Sequence, residues 1–223
     1  MEITAVIPVR KGSRRVKNKN IRAFMGSSLL ARKIEQLKAV KEINQIIVSS
    51  DSDEMLALAT QMGVIAKKRP LEYCDEVSRT FNEVVTYIAT NEVETEVMMW
   101  VPCVCPLVSS DKIREGIDLY KKQIKGQIEG DSVVTAKILR EYIFDEKGPK
   151  NFSVENHVPS QRLPKWHSIT NGFFIAKRLD MAKWGFVYGP HPYLCEVNKF
   201  EAIDIDDDFD FAMAEFAVQY LGE

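Results

Sequence analysis

The chain is 223 residues long, room for one ample α/β domain but short of two independent ones. Its 45% hydrophobic and 28% charged residues are those of a chain that folds by burial, which excludes disorder, collagen-like repeats and coiled coil. With 30 basic and 32 acidic residues, a formal charge of -2 excludes a surface given over wholly to nucleic acid, so any phosphate-binding charge must be local.

No apolar run approaches the length of a membrane span, and Met1-Glu2-Ile3-Thr4 has neither the basic nor the apolar region of a secretory signal, which predicts a cytoplasmic protein with no membrane partner. Cys74, Cys103, Cys105 and Cys195 are irregularly spaced, which fits a reduced compartment better than a disulfide framework. Cys103 and Cys105 lack the second ligand pair that zinc needs and are expected to be buried thiols.

In chain order, the apolar run Ile3 to Val9 predicts a first buried strand. Ser27 or Ser28 then caps a helix carrying Leu29, Leu30, Ile34, Leu37 and Val40. A strand is expected at Ile46 to Val48. Asp51 and Glu54 follow with capping-box spacing, ahead of a helix bearing Met55, Leu58 and Met62 that Gly63 stops. Phe81 to Ala89 reads as a helix, Val97 to Val101 as a strand, Ile113 to Ile124 as a helix and Ser132 to Ile138 as a strand. From Leu139 to Ser168, glycines, prolines and polar residues interrupt every periodic run, an excursion from the sheet. Order returns with a strand at Gly172 to Ala176, a short helix from Leu179, a strand at Ala202 to Ile205, and a last helix bearing Phe209, Ala212, Ala214, Phe216 and Leu221. The alternation implies a single α/β domain over 1–223, a mostly parallel Rossmann-like sheet with helices on both faces.

Between Arg10 and Arg22 stand seven cations (Arg10, Lys11, Arg14, Arg15, Lys17, Lys19, Arg22) and no acid. The loop leaves the carboxyl end of the first strand, where open α/β sheets bind ligands, and Gly12-Ser13 lets backbone amides turn toward an anion. A triphosphate would relieve the mutual repulsion of these cations; a solvated basic turn is the alternative. The sequence has neither the GxxxxGK[ST] of a Walker loop nor the GxGxxG of a dinucleotide fingerprint, so nicotinamide chemistry is not expected.

Near the other end, Glu201, Asp204, Asp206, Asp207, Asp208 and Asp210 fall within ten residues. On the expected strand, alternation puts Asp204 and Asp206 on one face, where two carboxylates suit a hard divalent cation completed by phosphate and water. Capping of the last helix is the other use for these aspartates.

With both ends read, the chain resembles the CMP-sialic acid synthetase family, nucleotidyltransferases that activate acidic ulosonic sugars with CTP. Ile7-Pro8-Val9-Arg10-Lys11-Gly12-Ser13-Arg14-Arg15-Val16-Lys17-Asn18-Lys19-Asn20-Ile21 is similar, without gaps, to the family's IPARxGSKxxxxKNI signature. Val48-Ser49-Ser50-Asp51 resembles VSTD, Arg69-Pro70 resembles RP, Asn171-Gly172-Phe173-Phe174-Ile175 resembles NGAIYI, and Ile203-Asp204-Ile205-Asp206 resembles IDID, so the likeness spans nearly the whole chain.

Carried over, the resemblance implies that Arg10, Ser13, Arg14 and Lys19 hold the triphosphate, that Asn20 and Arg69 face cytosine and ribose, and that Asp204 and Asp206 are magnesium ligands. It implies attack of the sugar's anomeric hydroxyl on the α-phosphorus of CTP, with Arg10, Lys19 and Asp206 carrying the catalysis. The 139–168 segment occupies the place of the family's dimerisation arm, which predicts a homodimer. Two departures concern the acceptor. Pro102-Cys103-Val104-Cys105-Pro106-Leu107 stands where the family has QPTSPL, and Ser160 replaces the first arginine of RQxLP, leaving Arg162 either to meet the sugar carboxylate or to be a surface cation. A nonulosonic acid is the expected acceptor; a transferase for the eight-carbon sugar Kdo and a nucleotide-binding homologue without activity are the rivals. His157, His167 and His191 are expected to be structural or surface residues, and Trp100, Trp166 and Trp184 to serve core or interface.

Overall fold

The computed structural model describes residues 1–223 except Arg14, Glu76 and Glu223. Its elements are β1 (Ile3–Pro8), β2 (Ala23–Phe24), β3 (Ser27–Ser28), α1 (Leu29–Lys38), β4 (Gln45–Ser50), α2 (Asp53–Gln61), β5 (Ile65–Lys68), α3 (Phe81–Asn91), β6 (Val97–Trp100), α4 (Ser110–Ile124), β7 (Ser132–Leu139), β8 (Phe144–Asp145), β9 (Gly148–Pro149), β10 (Trp166–Lys177), α5 (Arg178–Trp184), β11 (Pro192–Val197) and α6 (Asp208–Leu221).

Seven strands form one sheet in the order β11-β7-β10-β6-β1-β4-β5. All neighbours run parallel except β10, which is antiparallel to both β6 and β7. Side-chain alternation along each strand divides the core in two. Ile3, Ala5 and Ile7 of β1 point to the layer of α1, α2, α4 and α6, whereas Val6 points to the layer of α3 and α5. The expected α/β class, with helices on both faces, is the one observed.

Local chemistry explains the boundaries. The Ser28 hydroxyl accepts from the amide of Ala31 and starts α1, whose apolar stripe Leu29, Leu30, Ile34 and Leu37 is buried. Ser52, not Asp51, caps α2. The acidic stretch 201–206 is irregular; the strand expected at Ala202 to Ile205 is absent, and the edge strand is β11, whose half-exposed alternation is a weak signal in sequence. β5, another edge strand with two lysines, has no clean apolar run to mark it in sequence. On α6 the buried residues are Phe211, Ala214, Ala217 and Val218, while Phe209 and Phe216 are exposed.

The excursion lies between two paired strands. Leu139 closes β7 and Trp166 to Ser168 already belong to β10, with Trp166 opposite Leu139, so the segment outside the sheet is 140–165. It carries the small hairpin β8–β9 and an aromatic cluster in which Phe152 meets Tyr142 and Phe144 edge-on at 5.0 and 5.1 Å.

Candidate active site

The chain runs outward from β1 through β4 to β5 and then returns to the other side of β1 for β6, so the strand order reverses between β1 and β6. In such sheets a crevice opens past the carboxyl ends at that reversal. Here it is a cleft of about 1060 Å³, bordered by Val9 and Arg10 after β1 and by Trp100 and Pro102 at the end of β6.

The basic loop forms one rim. Gly12 sits at φ 80°, a left-handed conformation that side chains disfavour, and the Lys11 amide donates to Asp51 Oδ1 over 2.8 Å. Asn18, at φ 54°, accepts at its carbonyl from the amides of Ile21 and Arg22 and turns the chain inward. Arg10, Ser13, Arg15, Lys19 and Asn20 all line the cleft. Arg14 lies outside the described residues.

The acidic segment closes on that loop. Arg15 Nη2 meets Asp206 Oδ1 at 2.7 Å and Arg22 Nη1 meets Asp208 Oδ1 at 2.5 Å, exposed pairs that hold position more than they add stability. Lys19 Nζ donates to the Ile205 carbonyl over 2.6 Å. Burial pulls the Lys19 amine below the usual lysine range, opposed by the charges of Asp206 and Asp204.

The aspartates divide by role. Asp207 and Asp210 form a reciprocal capping box at the start of α6. Asp204 accepts from Asn171 Nδ2 over 2.7 Å, and its carboxyl is raised above the usual range by burial, with the like charge of Asp206 adding. Asn171 is turned toward it by an irregularity in β10, where the register against β7 shifts between Ile169 and Phe174. The Thr135 hydroxyl takes up the amides of Gly172 and Phe173 there, and a Cβ on Gly172 would come within 2.8 Å of that oxygen. Among the described residues, no three His, Cys, Asp or Glu side chains gather as a metal site.

Arg69 lines the cleft, but its guanidinium is buried and donates to Val9 O, Ser49 Oγ and Cys74 Sγ. Arg162 is exposed on the 140–165 segment and does not line the cleft. Cys103 and Cys105 are buried free thiols, as expected. His157 stacks on Tyr142, and His167 sits 3.2 Å from Glu196, so both have partners outside the cleft.

Sequence reasoning missed the far wall. Phe81 meets Trp100 and Phe186 edge-on at 5.9 and 5.5 Å, Phe186 meets Tyr188 at 4.9 Å, and Tyr188 stacks on Phe174 at 5.8 Å. Arg79, held between Glu72 and Glu83 at 3.1 Å each, borders the same wall. These residues come from four separate stretches, 79–81, Trp100, Phe174 and 186–188, and no local pattern groups the stretches.

A family model described as Cytidylyltransferase matches residues 4–148. The pseudaminic acid cytidylyltransferase of Campylobacter jejuni serotype O:2 is 24% identical over 99% of this chain and 98% of its own. The CMP-N,N'-diacetyllegionaminic acid synthase of the same organism is 27% identical over 97% of this chain and 95% of its own. Among solved structures, a CMP:2-keto-3-deoxy-manno-octonic acid synthetase complexed with CTP is similar in fold, with a TM-score of 0.72 at 9% identity, covering 99% of this chain and 100% of that one.

Proposed function

The chain belongs to the cytidylyltransferase family, and from that premise we propose that it transfers CMP from CTP to the anomeric hydroxyl of an acidic nonulosonic sugar. The anomeric oxygen bonds to the α-phosphorus, the bridge between the α- and β-phosphates breaks, pyrophosphate leaves and the hydroxyl proton is lost. The observation that carries this reading is the convergence of Arg10, Ser13, Arg15 and Lys19 with Asp206 on one cleft that Phe81, Phe186 and Tyr188 also line. Relatives that act on pseudaminic acid and make CMP-N,N'-diacetyllegionaminic acid match nearly end to end.

Arg10, Ser13 and Lys19 hold the triphosphate, and fixed cations there stabilise charge developing on the transferring group. Asn20 and Arg69 border the part assigned to cytosine and ribose, Arg69 by fixing Val9 and Cys74 around it. We assign magnesium to Asp204 and Asp206. Two hard carboxylate donors, one of them raised by burial and by its neighbour's charge, fit a divalent cation that phosphate oxygens would complete. When bound, magnesium would neutralise phosphate charge and lower the hydroxyl's pKa.

The acceptor side favours a nonulosonic acid over Kdo. Pro102, Val104, Ile169 and Phe174 offer no hydroxyl there, and Phe81, Phe186 and Tyr188 add apolar surface that suits acylamido and deoxy positions better than a polyol. We further assign a homodimer through the 140–165 segment. A cytoplasmic setting is supported by four free cysteines, all buried.

The test is pyrophosphate release from CTP and magnesium with a panel of ulosonic acids. Turnover is expected with acylamido nonulosonic acids and with CTP in preference to UTP. Silence with every sugar acid would remove the transferase reading, and equal turnover with Kdo would remove the acceptor assignment.

A further inference from the structure

Lys33 is fully buried on the inner face of α1, a place where lysine is rare. Burial drags its amine down to about 8, with Cys105 and Cys103 pulling the other way. Those thiols are themselves pushed up to about 12 by burial, so neither supplies an anion to balance an ammonium.

The contacts say where the amine is used. Lys33 Nζ donates to the Cys105 carbonyl over 3.0 Å, while Arg32 Nε and Gln36 Nε2 donate to the next carbonyl, Pro106, over 3.0 and 2.7 Å. Three side chains of one helix thus grip two successive carbonyls of the turn after β6. That turn, Pro102-Cys103-Val104-Cys105-Pro106, has no hydroxyl or charge with which to brace itself. It nevertheless has two tasks at the cleft. Pro102, Cys103 and Val104 line the cavity, and the Val104 carbonyl accepts from the Ile205 amide over 2.9 Å. The Ile205 carbonyl in turn accepts from Lys19 over 2.6 Å.

We infer that Lys33 is a positioning residue for the transfer reaction, fixing from below the turn that floors the acceptor side and anchors the Asp204–Asp206 segment. The inference rests on reading this cleft as a CMP-transfer site. Lys33 touches no reacting atom and acts through Cys105, Val104 and Ile205. A buried methionine would fill the same volume without desolvating an amine, so packing alone does not call for lysine here.

Lys33→Met and Lys33→Gln in the full chain decide it. Hydrogen exchange of the empty Met variant is expected to quicken within 102–107 and 203–206 and not to quicken in β1 and β4. Its kcat/KM for the sugar acid should fall about tenfold, the scale of one charge-assisted hydrogen bond, while KM for CTP stays within about twofold. Gln keeps a donor and should recover part of the loss. Parental exchange in the Met variant, or a loosened turn with parental turnover, overturns the inference. So does uniform acceleration of exchange with both KM values rising together and no recovery by Gln, the pattern of a merely structural lysine. The exchange arm needs no substrate, so an inactive parent would count against the proposed function and still show whether Lys33 holds the turn.

Discussion

Lys19 donates its ammonium to the Ile205 carbonyl over 2.6 Å, joining the basic loop to the acidic segment across 186 residues of sequence. One cation is thereby set between the basic loop and the two aspartates, partly desolvated. Preorganised charge of this kind is worth more in the transition state than in the empty protein. Lys19→Ala and Arg10→Ala are each expected to lower turnover by roughly two to three orders of magnitude, the scale of one such donor. Both are loop residues, so circular dichroism should remain parental. Variants with intact spectra that release pyrophosphate at the parental rate would take this loop out of the phosphate site.

Lys33 makes a prediction about stability and pH. Its folded pKa of about 8 lies below the ordinary 10.5, so the cost of burying the ammonium is fully present below pH 8 and disappears as pH rises to 10.5. The size is on the order of 3 kcal/mol. Cys103 and Cys105, which face the amine from the turn, are raised to about 12 and act in the opposite sense above pH 9. Arg32, on the same helix, adds a like charge that lowers the Lys33 amine further. The difference between Lys33→Met and the parent removes most of the thiol contribution, because burial and not Lys33 is the main cause of the thiol shifts. Lys33→Met should melt higher at pH 7, with the gap constant below pH 8 and narrowing toward pH 10.5. A gap that does not change with pH would contradict a buried ammonium.

Much of this was legible because the fold is made of strong periodic signals. The run Ile3 to Pro8 and the stripe on α1 are dictated by burial, and the cations from Arg10 to Arg22 stand at the one place an open sheet offers a ligand. What stayed hidden depends on contacts between distant residues. β11 and β5 are edge strands with mixed exposure, so neither shows a clean run. Asp206 lines the cleft and Asp204 stands behind Asn171 without a strand, held by Arg15 and Asn171 rather than by alternation. The wall of Phe81, Phe186 and Tyr188 is assembled from two distant parts of the chain, the start of α3 and the loop after α5, and Lys33 differs from other helix lysines only in its depth.

The 140–165 segment carries the prediction on assembly. Phe144 is 60% exposed and Val154 71% exposed, beside the cluster of Tyr142 and Phe152. An apolar tip projecting from a sheet is the kind of surface a symmetric partner covers. Light scattering should give twice the 25.4 kDa chain mass at micromolar concentration, and Phe144→Asp should shift it toward the monomer. A parental protein that scatters at the monomer mass throughout would contradict the dimer.

The two aspartates carry the sharpest test of the metal assignment. Asp207 and Asp210 serve the helix cap, and Asp208 pairs with Arg22, which leaves Asp204 and Asp206 beside the cleft. Replacing either by Asn retains size and most hydrogen bonding but removes a negative charge. The empty protein loses little, because burial already holds the Asp204 carboxyl above its ordinary range and Asp206 repels it. Melting temperatures without ligand should therefore move by no more than a few degrees. With CTP, a magnesium site missing one of its carboxylates should need far more metal, and turnover at fixed magnesium should fall steeply in both variants. The measurement is turnover against magnesium concentration for Asp204→Asn and Asp206→Asn. Parental turnover with parental magnesium dependence in both would remove these residues from the metal site and leave them as anchors for Asn171 and Arg15.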